Sequence, residues 1–282
     1  MDSSKIAVVG AGTMGHGISQ TLALAGIDVV MSDVAQSQLE RATAAISGSL
    51  ERLVKKEKMS GEQKAAALAR IRTTTDVGAL KDCGLVIEAA TEDLPLKLKI
   101  FAQLDELAPA GAVIASNTSS ISITRLAAAT KRPAKVIGMH FFNPVPVMAL
   151  VELIRGLQTS DETYAAVEAL SKKIGKAPVQ VRNSPGFVVN RMLCPMINEA
   201  IFALAEGLAS AEQIDQAMKL GANHPIGPLA LADLVGLDVE LAVMQVLFEG
   251  FKDPKYRPAP LLVEMVEAGY LGRKTGRGFF KY

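Results

Sequence analysis

The sequence has little cysteine, no tryptophan and almost no net charge. Its two cysteines, Cys83 and Cys194, stand in apolar surroundings without the spacing of metal ligands, so neither a disulfide framework nor a metal site is expected. A formal net charge of +1 provides no overall field to attract nucleic acid or an anionic membrane. These scarcities exclude a disulfide-stapled secreted domain and a basic nucleic-acid binder.

Long apolar runs are also missing. No uninterrupted run approaches the roughly 18 residues that identify a membrane helix. The chain passes from Met1-Asp2-Ser3-Ser4 directly into an apolar strand, which leaves no room for a signal peptide or transit segment. We therefore expect a cytoplasmic protein that binds neither membrane nor nucleic acid.

Hydrophobic residues are abundant, at 49% of 282 positions, which is enough for two domain cores. Strands alternate with helices until Asn183-Ser-Pro-Gly186, where strand-like segments cease. The sequence predicts an α/β domain over 1–183 and an all-α domain over 184–282, with helices at about 188–207, 211–220, 229–248 and 260–269. The second domain carries more apolar helical surface than it would bury alone, so it is expected to form a homodimer.

The segment Lys5–Gly15, KIAVVGAGTMG, is an apolar strand that ends in a glycine-rich turn. Gly10 permits the tight turn, Gly12 lets the backbone approach a pyrophosphate, and Gly15 lets the next helix pack closely on the strand. Asp33 follows 18 residues after Gly15 at the end of the next strand, as expected for a carboxylate that binds the adenosine ribose. Such a carboxylate repels a 2'-phosphate and favours NAD over NADP. The alternative for Asp33 is a helix N-cap.

Polar residues follow two later strands. Glu92 lies just past a predicted strand at 85–89, and Lys97 opens the next helix. Ligands of a doubly wound sheet bind outside the carboxyl ends of the strands, which makes both residues candidates for the nicotinamide side, although a solvated lysine is as plausible for Lys97. Ser119 belongs to the cluster SNTSS after the next strand, where hydroxyls could serve hydride chemistry or only cap a helix.

The sequence contains three histidines, of which His140 is the catalytic candidate. It ends a predicted strand, and the segment FFNPVP turns the chain toward a second strand, LVELI. If the two strands pair antiparallel about Pro146, His140 faces Glu152. A carboxylate there would fix the tautomer of the imidazole and stabilise the imidazolium that forms when the ring takes a proton, as alcohol oxidation requires.

Two further polar features allow either a functional or a structural interpretation. Asn190 begins the first helix after the domain boundary, where it could bind a carbonyl group or simply face solvent. Arg52 and Lys56 stand one turn apart near the end of a long amphipathic helix, where they could bind a phosphorylated substrate handle or only complement the helix dipole.

Eight segments in this order resemble the 3-hydroxyacyl-CoA dehydrogenase family, most closely its bacterial 3-hydroxybutyryl-CoA type: GAGTMG, IEAATE, SNTSS, GMHFFNPVPVM, LVELI, SPGFVVNR, GANHPIGP and LGRKTGRGFF. The resemblance covers nearly the whole chain. It implies a Rossmann-type NAD-binding domain followed by an all-α dimerisation domain, with acyl-CoA held between them. The implied reaction is reversible NAD-dependent oxidation of a (3S)-3-hydroxyacyl-CoA to the 3-ketoacyl-CoA. The alternative is a Rossmann oxidoreductase that acts on a small hydroxy acid without CoA.

The resemblance also assigns roles to residues. His140 matches the general base, Glu152 the residue that orients it, Ser119 the hydroxyl that contacts the 3-oxygen of the substrate, and Asn190 the amide that completes the polar site. Arg52 and Lys56 match contacts to the CoA phosphates, although position 52 is often lysine in relatives. The implied NAD contacts are Gly10, Gly12, Thr13, Met14, Gly15, Asp33, Glu92, Lys97 and Asn117.

Overall fold

The computed structural model describes residues 4–282. The chain divides into two compact units, Met1–Asn183 and Ser184–Tyr282. Each unit has hydrophobic clusters of its own. No helix of the described chain has both the length and the apolar character needed to cross a membrane.

The first unit is built on one sheet of eight strands in the order β3-β2-β1-β4-β5-β6-β7-β8. Strands β1 to β6 run parallel, so their carboxyl ends meet at one edge, while β7 pairs antiparallel with β6 and β8 runs parallel to β7. The chain order reverses between β1 and β4, which is the topological switch point of a Rossmann-type sheet. The strands are β1 Lys5–Val9, β2 Asp28–Ser32, β3 Ile71–Thr74, β4 Leu85–Glu88, β5 Val113–Ser116, β6 Val136–Phe141, β7 Leu150–Arg155 and β8 Ala177–Arg182.

Six α-helices belong to this unit within residues 4–183. The longest, α2, is amphipathic and buries Leu39, Ala42, Ile46 and Leu50 on one face. α3 begins with a capping box, in which Ser60 and Gln63 satisfy each other's backbone N–H groups. The helices are α1 Thr13–Leu24, α2 Gln36–Lys55, α3 Gly61–Ala69, α4 Leu94–Leu107, α5 Ile123–Ala127 and α6 Asp161–Lys173.

α5 is absent from the sequence prediction. It has only five residues, too few to show a helical period, and it depends on the N-cap Ser122, whose hydroxyl accepts from the N–H of Arg125.

The predicted antiparallel pairing of the next two strands is confirmed, because β6 and β7 pair with His140 opposite Glu152.

The second unit consists of α7 Val189–Ala205, α8 Ala211–Gly221, α9 Pro228–Val235, α10 Leu237–Phe251 and α11 Pro260–Glu267. The prediction of one continuous helix over 229–248 is wrong. Gly236, at φ +106°, ends α9 and starts α10, and a side chain there would be strained.

A buried carboxylate helps to attach the C-terminal tail to the second unit. Buried Asp233 in α9 accepts hydrogen bonds from the N–H groups of Phe279 and Phe280 and from the hydroxyl of Tyr282. The glycine-rich end of the chain is therefore part of the helical unit.

Candidate active site

The turn between β1 and α1 has the geometry of a dinucleotide loop. Gly10 has φ +99°, and a Cβ there would lie 2.6 Å from the carbonyl oxygen of Ala89, so only glycine fits. Gly15 approaches the carbonyl oxygen of Gly10 so closely that a Cβ would stand 1.7 Å from it. Gly12 caps α1 without a side-chain bond, and nothing lies within 4 Å of its Cβ direction. The open space beside Gly12 and the N-terminal N–H groups of α1 fit a pyrophosphate.

The other loop residues surround that helix start. Thr13 is exposed and Met14 packs partly against the core. The imidazole Nδ1 of His16 lies 2.9 Å from the carbonyl oxygen of Gly12. These contacts fix the backbone around the space that a pyrophosphate would occupy.

Asp33 at the end of β2 is held by main-chain donors. Its Oδ2 accepts from the N–H of Ala11 at 2.8 Å and its Oδ1 from the N–H of Ala35 at 3.1 Å. Ala35 is the N-cap of α2 and makes no side-chain cap bond, so the N-cap alternative for Asp33 is wrong. Asp33, Gly10 and Gly12 all line a cavity of about 560 Å³, whose apolar wall includes Leu96 and Ile100. This combination fits the adenosine half of NAD.

A buried ion pair lies between the ends of β4 and β5. The ammonium of Lys97, 1% exposed, donates to Glu88 Oε1 at 2.6 Å and to the carbonyl oxygen of Ala90 at 3.2 Å. Glu88 Oε2 accepts from the hydroxyl of Ser116 at 2.7 Å. The solvated-lysine alternative for Lys97 is therefore wrong.

Glu92 organises the loop that carries Ser119. Its Oε1 accepts from the hydroxyl of Thr118 at 2.5 Å, from the N–H of Ser119 at 3.0 Å and from both the N–H and the hydroxyl of Ser120. Its Oε2 lies 3.6 Å from the ammonium of Lys97. The hydroxyl of Ser119 has no hydrogen-bond partner within residues 4–282. Ser122, and not Ser119, caps the helix that follows, so the capping alternative for Ser119 is wrong.

The His140–Glu152 pair is formed as the sequence predicts. The imidazole Nδ1 lies 2.7 Å from Glu152 Oε2, and both side chains are buried. The ring of Phe142 stands tilted beside the imidazole, with centroids 4.6 Å apart. A carboxylate at Nδ1 leaves Nε2 as the atom that would exchange a proton with a substrate.

Two polar side chains fix the backbone next to His140. The Oδ1 of Asn117, just past β5, accepts from the N–H of Phe141 at 2.9 Å. The ammonium of Lys176 donates to the carbonyl oxygens of Val145 and Met148 in the proline-rich turn, at 2.5 Å and 2.7 Å. Burial lowers the pKa of Lys176. Both ends of the His140 segment are thus held in place.

The remaining predicted residues belong to other elements. Asn190 is half-buried in the first turn of α7, in the second unit. Arg52 and Lys56 are exposed where α2 ends, and neither forms an ion pair within the described part of the chain. The same residues 4–282 contain no group of three metal-ligating side chains.

Comparisons with known proteins identify the family of the chain. The family model of the 3-hydroxyacyl-CoA dehydrogenase NAD-binding domain matches residues 5–184, and that of the family's C-terminal domain matches residues 186–282. The chain belongs to the 3-hydroxyacyl-CoA dehydrogenase family. It is an NAD-dependent oxidoreductase with NAD as its cofactor.

Several relatives of this dehydrogenase match over nearly their full length. It is 55% identical over 278 residues to a 3-hydroxybutyryl-CoA dehydrogenase of Bradyrhizobium diazoefficiens, covering 99% of this chain and 95% of the relative. It is 54% identical to a 3-hydroxybutyryl-CoA dehydrogenase of Clostridioides difficile, covering 99% of each. The crystal structure of (S)-3-hydroxybutyryl-CoA dehydrogenase from Ralstonia eutropha is 63% identical, with a TM-score of 0.97 and coverage of 100% of this chain and 99% of that one.

Glu88 of this dehydrogenase was not among the predicted site residues. The sequence pattern that could have identified it is the strand LVIE, in which Glu88 ends an otherwise apolar run. A charged residue buried at such a position must have a buried partner. Lys97 nine positions later supplies it.

Proposed function

We propose that this dehydrogenase catalyses the reversible oxidation of (3S)-3-hydroxybutyryl-CoA to acetoacetyl-CoA, and that His140 is its general acid/base. The observation that carries the proposal is the 2.7 Å contact between His140 and Glu152 at the sheet edge that also carries the dinucleotide loop. The names of the relatives support the choice of substrate.

The chain's own residues handle the proton. NAD, when bound, supplies the acceptor for the hydride from C3 of the substrate. His140 takes the proton of the C3 hydroxyl through Nε2 in oxidation and returns it to the oxygen in reduction. Glu152 holds the ring in the tautomer that exposes this nitrogen and stabilises the imidazolium by its charge.

Ser119 and Asn190 would hold the 3-oxygen in line with His140. The support for Ser119 is its hydroxyl, which lacks a partner within residues 4–282, on a loop that Glu92 holds by four hydrogen bonds. Two donors at this oxygen would stabilise the negative charge that develops there in the transition state. For the cofactor, the proposed contacts are the glycine loop, Asp33, Glu92, Lys97 and Asn117. The burial of Lys97 indicates that it acts through Glu88, Ala90 and Glu92.

Arg52 and Lys56 would bind the phosphates of CoA. Both are exposed cations without an ion-pair partner in the described structure, and Lys56 follows Arg52 by one turn. Replacing both with alanine should raise the KM for acetoacetyl-CoA about tenfold or more with little change in kcat, because two charge-assisted phosphate contacts are lost. Lys172→Ala, on α6, is the matched control. An unchanged KM would remove this part of the proposal.

The enzyme would work in the cytoplasm as a homodimer formed by the C-terminal helical unit. Two buried free cysteines support a reducing compartment. The second unit exposes eight large hydrophobic side chains in 99 residues, more densely than the first, which supports a covered surface: Val188, Met192, Leu208, Leu220, Leu234, Val235, Val239 and Tyr282. A monomer in sedimentation velocity at micromolar concentration would contradict the dimer.

The experiment that tests the function is NADH oxidation with acetoacetyl-CoA, run beside free acetoacetate. Rapid turnover with the thioester and little with the free acid is the expected result, since binding energy from the CoA handle would position the reacting carbonyl. Turnover with both substrates would favour an oxidoreductase for small hydroxy acids. NADH binding without turnover of the thioester would contradict the substrate assignment and leave the cofactor assignment intact.

A further inference from the structure

Two cations line the cavity that contains Asp33. Arg41 projects from α2 and Lys99 from α4, and both side chains are exposed. Within residues 4–282, neither lies within ion-pair distance of a carboxylate. The cavity therefore combines one acidic group with two cations whose charge no described residue neutralises.

Arg41 is held at this cavity by a relay from the glycine loop. Gln38 Nε2 donates to the carbonyl oxygen of Ala11 at 3.1 Å, and Gln38 Oε1 accepts from an Arg41 guanidinium nitrogen at 2.7 Å. The same residue, Ala11, donates its N–H to Asp33. Both side chains are thus anchored to Ala11. Its N–H group binds Asp33, and its carbonyl oxygen binds Gln38, which holds Arg41.

Asp33 cannot readily withdraw from the cavity. Each of its carboxylate oxygens accepts a main-chain N–H, one from the glycine loop and one from the start of α2. A fixed carboxylate contacts the ribose hydroxyls of NAD well, but it repels a phosphate monoester, which carries a charge of about −1.5 to −2 at neutral pH. Arginine, in contrast, is the residue that accommodates the 2'-phosphate of NADP in folds of this type.

We propose that the adenosine cavity contains a latent site for a ribose 2'-phosphate, in which Arg41 and Lys99 supply the positive charge and the carboxylate of Asp33 alone excludes NADP. The inference rests on the proposed ribose role of Asp33. It goes beyond that role because it assigns a ligand to two residues that hydride transfer does not use. It also states that a single change of charge reverses the cofactor preference.

The test measures the dissociation constants of NADH and NADPH separately, by titration of nicotinamide fluorescence in the absence of substrate. The chain has no tryptophan, so this signal is free of tryptophan energy transfer. The variants are Asp33→Asn, which keeps an acceptor oxygen and removes the charge, and the doubles Asp33→Asn/Arg41→Gln and Asp33→Asn/Lys99→Gln. Asp33→Asn should strengthen NADPH binding at least about tenfold and weaken NADH binding. Each double should lose about tenfold of the NADPH affinity that was gained.

Asp33→Asn/Lys173→Gln is the matched control, because Lys173 is an exposed cation on α6 and its removal changes net charge equally. It should keep the NADPH gain. The inference is overturned if Asp33→Asn gains no NADPH affinity, or if the gain survives in either cation double.

A second measurement does not depend on the fold of the Asp33 variant. Arg41→Gln in the otherwise unchanged enzyme should weaken NADPH binding by a larger factor than NADH binding. An equal loss for both cofactors would show that Arg41 contacts the adenine instead and would overturn the inference. Failure of the wild-type protein to bind NADH at all would instead contradict the cofactor assignment, so the two failures are distinguishable.

Discussion

Glu152 in the first unit and Glu240 in the second are both 1% exposed, yet their surroundings differ. Glu152 lies 2.7 Å from the imidazole of His140 across a strand pair. Neither carboxyl oxygen of Glu240, on α10, has a hydrogen-bond partner within the described residues. A partner of suitable chemistry is thus provided for one buried glutamate and not for the other.

The surroundings of Glu240 keep it protonated. Burial raises its pKa to about 8, and the weak donor Cys194, which lies beside it on α7, lowers the pKa by less. The Cys194 thiol is close enough to interact with the carboxyl group, although it does not reach hydrogen-bond geometry. Burial, together with Glu240, also raises the pKa of Cys194.

The effect of burial on a carboxyl group depends on whether a partner is buried with it. Beside a basic ring, a buried carboxyl group can form a hydrogen bond and orient that ring, as Glu152 would orient His140. Without a partner, the same group is stable only while it is neutral, and its ionisation counts against folding. Glu88 is like Glu152 in having hydrogen-bond partners, which are Lys97 and Ser116.

The largest expected effect comes from removing the basic partner. His140→Gln should lower turnover of acetoacetyl-CoA about a thousandfold or more, because glutamine cannot exchange a proton at this position. The amide can still donate a hydrogen bond to Glu152, so the fold should be retained. Steady-state kinetics gives the turnover, and an NADH titration checks that the cofactor still binds.

Near-normal turnover in His140→Gln would contradict the general acid/base assignment. Loss of both turnover and NADH binding would point to a structural defect instead. Asn190→Ala, which removes a proposed contact to the 3-oxygen and no titrating group, should cost less than His140→Gln.

Much of the first unit could be predicted because its strands are apolar and its turns carry glycines. The facing of His140 and Glu152 followed from a turn centred on Pro146, since antiparallel register then has only one solution. α5 was missed because a helix of five residues shows no helical period. The break at Gly236 was missed because the segments on both sides of it have apolar residues at helical spacing.

Side-chain partners in the candidate site were harder to foresee. The bonds of Glu92 to the Ser119 loop and of Lys97 to Glu88 join segments that are neighbours only in the folded sheet. The isolation of Glu240 was hidden, because a glutamate on an amphipathic helix is normally placed on the solvent face. Sequence periodicity gives the face of a helix less reliably where a polar residue lies among apolar ones.

The next largest effect concerns stability at alkaline pH. Glu240 is ionised in the unfolded chain above its ordinary pKa of 4.5 but stays protonated in the folded protein until about pH 8. The free energy of unfolding should therefore fall as pH rises between these values, by on the order of 5 kcal/mol at most, and the loss should be complete above about pH 8. Glu240→Gln stays neutral and removes this dependence.

Urea unfolding at a fixed protein concentration checks this expectation. Glu240→Gln should be more stable than the wild-type protein at about pH 9, and the difference should shrink toward about pH 5. Parallel pH profiles for the two proteins would show that Glu240 is paired in solution and would remove the contrast with Glu152.

The smallest effect is expected for the same glutamate-to-glutamine substitution at the paired glutamate of the first unit. Glu152→Gln keeps an oxygen that can accept from Nδ1 of His140 and removes the negative charge. We expect kcat for acetoacetyl-CoA to fall about a hundredfold while the dissociation constant of NADH stays the same, because only the orientation and charge beside the imidazole are lost. A parallel loss of NADH affinity would show a structural role for Glu152 instead. Glu240→Gln is the matched control and should leave kcat close to the wild-type value, since its carboxyl group stands beside a thiol in the helical unit and not beside the imidazole.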